Sequence, residues 1–369
     1  MRPRIIANQI WQRTQPYRRA ILERIPVVAW ERLAPKDVLC FNYHLVSDTI
    51  RPHSHFLVGK SPAMFERDVL WAKKHLGFMD YHQLYRLRTG FKSTPENRAL
   101  VTFDDGFAEC YTTARPILLR EGAPAIFFVT TDWIDNGSMF YEGKIALCLS
   151  ELAKLGHETL KELNLLPTLK ARPVRDGANP LTATVRRSAL QLEHSSSEFW
   201  SLVSVLVSLS DQDEPIIDWL CDELQIDTQS YLQSARPFLT SSQIRQLHSD
   251  GFTIGAHGRA HRNMNGMTPR ELEAEILTAA TSIREVTGQA SVPFAFPYYG
   301  AEIDRRLLVD ISSRNPRVGL FFDTGGLRTD HPNVINRIGA DSPEGASAHK
   351  SNLPSMLRRN WSFRTSWNR

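Results

Sequence analysis

The chain has 369 residues, 42% of them hydrophobic and 23% charged, with a formal net charge of +4. That leaves room for one large or two ordinary domains with a substantial core, and it excludes a low-complexity chain. Cys40, Cys110, Cys148 and Cys221 lack paired or metal-like spacing and read as buried thiols of a reducing compartment. No run reaches the apolar length of a membrane-spanning helix, and no continuous apolar core follows the early arginines, so a cytoplasmic location is expected.

Residues 1–36 read as a basic helical lead-in, with six arginines against Glu23 by residue 24. A strand is predicted over 38–43, a helix over 62–76 through Phe65, Val69 and Ala72, and a short turn over 84–87. The apolar run Ala99-Leu100-Val101-Thr102-Phe103 is the next strand, and it ends on Asp104-Asp105-Gly106. Neighbouring side chains of a strand point to opposite faces. A turn at Gly106 allows both carboxylates to face one pocket, where like charges need a cation or a shared proton to offset them. Asp-Asp-Gly is also an ordinary turn sequence, so a partner motif has to decide.

A helix over 111–120 and a strand over 125–129 continue the alternation, which argues for a parallel α/β barrel. Between 141 and 235 the pattern changes to helical spacing: Ile145, Leu149, Leu152; Phe199, Leu202, Leu206; Ile217, Leu220, Leu224. A polar, Pro-containing stretch divides it. This segment reads as a mostly helical insertion that forms a lid or substrate wall. Trp133 and Phe140 offer an apolar surface for a ligand, or else core packing.

The barrel resumes with a helix over 241–248 and a strand over 252–256 that runs into His257, with His261 four residues later. If His261 lies in a first helical turn, both imidazoles reach one side. Imidazole with carboxylate suits zinc and its first-row neighbours. Gly258 follows the first His where a zincin has Glu, so a base has to come from elsewhere, and Asp104 is the candidate. Thr268-Pro269-Arg270-Glu271 then carries a capping box and a proline in the first helical position. The tail, 346–369, is basic again, with Trp361, Phe363 and Trp367 among its cations. Such ends suit peripheral contact with an anionic membrane, or else a terminal helix packed on the barrel with a disordered tail. No nucleic-acid fold signature accompanies them, and no nucleic-acid partner is expected.

Together and in this order the two motifs resemble the polysaccharide deacetylase family, also called the NodB-homology or carbohydrate esterase 4 family. The resemblance extends to Asn42-Tyr43-His44-Leu45-Val46, to Pro124-Ala125-Ile126-Phe127-Phe128-Val129 and to Phe294-Ala295-Phe296-Pro297-Tyr298-Tyr299-Gly300. It covers about residues 38–140 and 236–340. It implies an irregular (β/α)7 barrel domain over 37–345, interrupted by the insertion. The implied activity is a metal-dependent hydrolase that removes acetyl groups, usually from N-acetylhexosamines of a glycan or a lipid- or nucleotide-linked precursor. Carried over residue by residue, Asp105, His257 and His261 hold a divalent metal, zinc first among the candidates. Asp104 is the base towards the attacking water, and a backbone N–H near Tyr298 stabilises the oxyanion. Pro297, Tyr298 and Trp133 contact the substrate.

The general acid is less direct. Most members draw it from a Leu-x-His motif near the domain's end, which has no counterpart here; His349 lacks the preceding Leu. A circularly permuted branch, the poly-N-acetylglucosamine deacetylases, places this His at the start, and His44 in Leu39-Cys40-Phe41-Asn42-Tyr43-His44 matches it. Two departures follow. The Arg that buttresses the catalytic Asp in the third motif is replaced by Ala295 or Phe296, with Arg337 on a neighbouring strand as the substitute, and the Asp-x-x-Asp-Trp motif is absent. The missing Arg and the unsettled acid keep open a non-catalytic carbohydrate-binding relic; a hydrolase of a non-sugar amide or O-acetyl ester is a third reading.

Overall fold

Seven parallel strands close into a barrel in the computed structural model, which describes residues 37–55, 57, 59–90, 96–171, 194–328, 330–341 and 350–364. They are β1 (Val38–Tyr43), β2 (Arg98–Phe103), β3 (Ala125–Val129), β4 (Thr253–Ala256), β5 (Val292–Ala295), β6 (Val318–Asp323) and β7 (Val334–Gly339). Each pairs with its sequence neighbour, and β7 returns to β1 through Cys40 opposite Arg337. The predicted lead-in over 1–36, His349, most of the polar stretch in the insertion, and the side chains of Trp361, Phe363 and Trp367 lie outside the described residues.

Strand periodicity sorts the core. In β1, Val38 and Cys40 point inward to meet Leu100, Ile126, Phe128 and Phe322, while Leu39, Phe41 and Tyr43 face the surrounding helices. A packed interior rather than a pore results. Gly255 keeps it feasible: a Cβ there would lie 2.3 Å from Phe128 Cδ1.

The outer layer holds α1 (Pro62–His75), α2 (Tyr81–Thr89), α3 (Arg115–Glu121), then α4 (Tyr141–Leu152), α5 (His157–Leu163), α6 (Leu165–Lys170), α7 (Ser197–Leu206), α8 (Glu214–Glu223) and α9 (Thr228–Ala235) of the insertion. After it come α10 (Ser241–Ser249), α11 (Pro269–Thr287), α12 (Arg305–Arg314) and α13 (Leu353–Arg364). The start of α11 is as the sequence predicts: Thr268 Oγ1 accepts from the Glu271 N–H and the Glu271 carboxylate accepts from the Thr268 N–H. Where only a short turn is predicted, α2 is a nine-residue helix, because Asp80 and Gln83 form a capping box. Its Tyr81 closes the bottom of the barrel, its hydroxyl oxygen accepting from the Leu320 N–H at 3.1 Å.

The insertion has its own core, in which Ile145, Leu149, Leu202 and Leu220 are buried. Cys148 and Cys221 meet there with sulfurs 3.6 Å apart, a pairing their spacing hides. In the tail, α13 docks on the barrel's main core through Leu353, Met356 and Leu357. Among the described residues no helix is long and apolar enough to cross a membrane.

Candidate active site

The carboxyl ends of β1, β2, β4 and β7 converge on a cavity of about 340 Å³, within the usual range for a small-ligand site. Strand register brings this about. Tyr43 lies opposite Phe103, so His44 and Asp104 leave adjacent strands at one level; Val129 lies opposite Ala256, which puts His257 at the same edge.

Asp104 stays in register, its N–H donating to the Tyr43 carbonyl at 2.9 Å. The chain then turns: Asp105 takes φ +73° and Gly106 φ +84°, and both carboxylates line the cavity. Gly106 is required twice over, for its left-handed backbone and because a Cβ would stand 2.9 Å from Val129 Cγ1. Asp105 is a non-glycine residue in a costly conformation, a kind of strain that concentrates at functional sites.

His257 and His261 meet Asp105 as expected, but not by a helical turn. The helix starts at Pro269, and the two histidines sit in a loop with Gly258 at φ +71° and His261 at φ +55°. That loop is fixed by the Thr131 and Asp132 N–H groups, which donate to the Gly258 and Arg259 carbonyls at 3.1 and 2.9 Å. Asp105 Oδ1 lies 3.3 Å from His261 Nε2 and 3.5 Å from His257 Nε2, and the three ligand atoms fall within 4.8 Å of one another.

The trio fits a divalent ion on four counts. Ligands about 2.1 Å from a tetrahedral ion stand about 3.4 Å from each other, the separation seen here. Asp105 Oδ1 is buried without a hydrogen-bond partner, and burial raises its pKa against the pull of His44 and His257, a cost a cation would remove. His257 Nδ1 donates to the Ala295 carbonyl at 3.0 Å, which leaves the Nε2 lone pair facing the centre. Burial also holds the His261 pKa well down, keeping a neutral ligand nitrogen.

Arg337 fills the place left by Ala295 and Phe296. It is buried inside the barrel, its guanidinium 5.2 Å from the Phe128 ring. Nη1 donates to Asp104 Oδ1 at 2.6 Å and Nη2 to Oδ2 at 2.8 Å, a bidentate pair, while Asn42 Nδ2 donates to Oδ2 at 2.9 Å. Burial opposes ionisation of Asp104, but Arg337, His257 and His44 outweigh it and hold the carboxyl well below the usual range. Removing one member of such a buried pair strands the other. Arg337→Ala is therefore expected to lower stability by about 3–5 kcal/mol, read from denaturant unfolding. An unchanged midpoint would refute this account of the clamp.

His44 carries the opposite shift. Its Nδ1 meets Asp341 Oδ2 at 2.5 Å, its N–H donates to Asp341 Oδ1 at 3.1 Å, and Nε2 faces Asp104 Oδ2 at 3.9 Å. Enclosure disfavours charge on the ring, but Asp341 more than offsets it, with Asp105 and Asp104 adding to the effect, and the pKa rises to about 10.

Of the expected substrate contacts, Tyr298 and Trp133 line the cavity and Pro297 does not: it is buried beside Gly258, where a Cβ would lie 3.4 Å from its Cγ. Trp133 is only 2% exposed, mostly spent on packing against Phe140 and Phe238, with His261 5.5 Å from its ring. Phe140 also lines the cavity. Sequence reasoning missed three residues there or beside it. His53 is buried in the wall, its Nδ1 2.8 Å from the Tyr231 hydroxyl, and burial lowers its pKa to about 4. Glu142 comes from the first turn of α4, and Asp341 follows β7.

The sequence profile of the polysaccharide deacetylase family matches residues 91–163 and 219–315. No curated protein sequence matches the chain. Among solved structures, IcaB from Ammonifex degensii is similar at 14% identity, with a TM-score of 0.50 over 89% of this chain and 97% of that one. The Streptococcus pyogenes deacetylase PplD in complex with acetate shares 14% identity, with a TM-score of 0.48 over 89% of this chain and 99% of that one. At such identity the likeness to IcaB concerns the fold. The profile spans Asp104, Asp105, His257, His261 and Tyr298, and stops short of His44, Arg337 and Asp341 on the closing strands.

Proposed function

The chain belongs to the polysaccharide deacetylase family, and from that premise we propose that it is a divalent-metal-dependent hydrolase that removes the N-acetyl group of an amino sugar. The substrate class is a glycan, or a lipid- or nucleotide-linked precursor, of surface polysaccharide metabolism. One observation carries the reading: Asp105, His257 and His261 bring three ligand atoms together, the Asp105 oxygen without a hydrogen-bond partner, beside an acid and a base whose pKa values are driven apart.

Asp105, His257 and His261 would hold the ion, zinc being the best match to two imidazoles and a carboxylate. A divalent ion there supplies Lewis acidity towards a water and an acetyl carbonyl. Asp104, ionised and locked by Arg337 and Asn42, takes the proton of the attacking water. The Tyr298 backbone N–H is assigned to the oxyanion. His44, protonated and oriented by Asp341, gives its Nε2 proton to the departing amine, so the amide splits into acetate and free amine. Two groups whose environments separate their pKa values in this way divide base and acid between them.

The two gaps that favoured a non-catalytic relic are an absent Arg and an absent acid, and Arg337 and His44 stand in those places. The test is metal content and acetate release on the same samples. Wild type should hold one divalent ion per chain and release acetate from N-acetylated oligosaccharides. His257→Ala should lose both. Wild type that binds no metal sinks the proposal, and metal-loaded wild type that acts on acetyl esters alone sinks its amide half.

A further inference from the structure

The insertion reaches the cleft through one charged side chain. Glu142 sits in the first turn of α4, whose Ile145 and Leu149 are anchored in the insertion's own core. Its Oε1 accepts the Tyr298 hydroxyl at 2.5 Å. Its Oε2 is shielded from solvent and has no hydrogen-bond partner, although the residue lines the cavity. Tyr298 is itself constrained, with φ +58°, its carbonyl accepting Thr324 Oγ1 at 2.9 Å and its ring 4.7 Å from His261. The hydroxyl therefore fixes Glu142 relative to the metal centre.

A buried carboxylate oxygen left unpaired is costly, and a donor brought by a ligand removes that cost. The surroundings narrow the donor's identity. Phe140, Trp133 and Leu57 give the cavity an apolar side, set against the polar groups gathered around Asp104, Asp105 and Glu142. Three carboxylates, Asp104, Asp105 and Glu142, line the same space. Burial pushes the Glu142 pKa up to about 7, so at alkaline pH, where the carboxylate is ionised and the comparison is made, another carboxylate on the ligand beside it would meet like charge and no donor.

We propose that Glu142 is a specificity-determining residue, whose free oxygen accepts a hydrogen bond from a hydroxyl of a neutral N-acetylhexosamine and rejects the corresponding N-acetylhexosaminuronate. This rests on the deacetylase reading and deepens it by naming the substrate class. The contact belongs to binding rather than to bond breaking, so its loss appears mainly in KM.

The experiment compares metal-loaded wild type, Glu142→Gln and Glu142→Ala on paired N-acetylhexosamine oligosaccharides and their 6-carboxylate counterparts, by acetate release. Wild type should favour the neutral member of a pair. Glu142→Gln, of the same shape, should lose about 10- to 100-fold in kcat/KM on the neutral substrate, the worth of one hydrogen bond to a charged group. The same variant should gain on the carboxylate, narrowing the preference. Metal content equal to wild type and an unchanged circular dichroism spectrum identify folded variants, and Gln serves if Ala does not fold. Equal losses on both substrates, or a wild type indifferent to the carboxylate, overturn the assignment and leave the deacetylase reading standing. No acetate from any substrate with loaded wild type overturns that reading itself.

Discussion

Asp104→Asn should keep its metal and lose acetate release by about 10³- to 10⁴-fold, the upper range for a general base. The substitution preserves shape and removes the acceptor that the attack on the carbonyl requires. Asp104 is not among the three converging ligands; its Oδ2 stands 3.8 Å from His257 Nε2, close enough to serve a water there, and both its oxygens are already held by Arg337 and Asn42. Metal content and activity should therefore separate in this variant, whereas they fall together in His257→Ala. Arg337 would face a neutral amide after the change, so unfolding must be followed alongside and rates measured well below the transition. Parallel loss of metal and activity in Asp104→Asn would place Asp104 among the ligands and remove the base from the mechanism. Full activity would be more damaging still.

Why the sequence exposes one half of this site and conceals the other follows from where each residue sits. Asp104, Asp105 and His257 end apolar β-branched runs, and a strand end is visible in a one-dimensional pattern. His261 was legible as a residue but not as a conformation: spacing of four suggests a helix, and nothing local announces a left-handed non-glycine residue in a pinned loop. Arg337 could be named only through the family resemblance, as a substitute for the Arg missing from the third motif. Asp341 had no such marker, since an acid just beyond a strand is ordinary, and only closure of β7 onto β1 brings it to His44. Glu142 was hidden by its own position, because acids are common in the first turn of any helix. Strand β6 and helix α12 were missed, and α13 falls in the basic tail, where a terminal helix packed on the barrel is the alternative that its buried Leu353, Met356 and Leu357 match.

The His44–Asp341 pair yields the other large effect, and it has a pH signature. His44→Ala should reduce kcat by about 10²- to 10⁴-fold on amide substrates, because an amine leaves only with a proton. Asp341→Asn keeps the imidazole but withdraws the carboxylate that raises its pKa. The sign follows directly. The acid works while His44 is protonated, so activity is lost as pH rises through its pKa; lowering that pKa moves the alkaline limb of the kcat profile to lower pH. The acidic limb, set by other groups, should stay in place. Losses in the double variant should fall well short of additive, since Asp341 acts through His44. An alkaline limb that does not move in Asp341→Asn would reassign the proton donor and leave Asp341 a purely structural role. Substrates with a better leaving group sharpen the contrast: an activated acetyl ester needs little help from an acid, so His44→Ala should retain far more of its activity on the ester than on the amide.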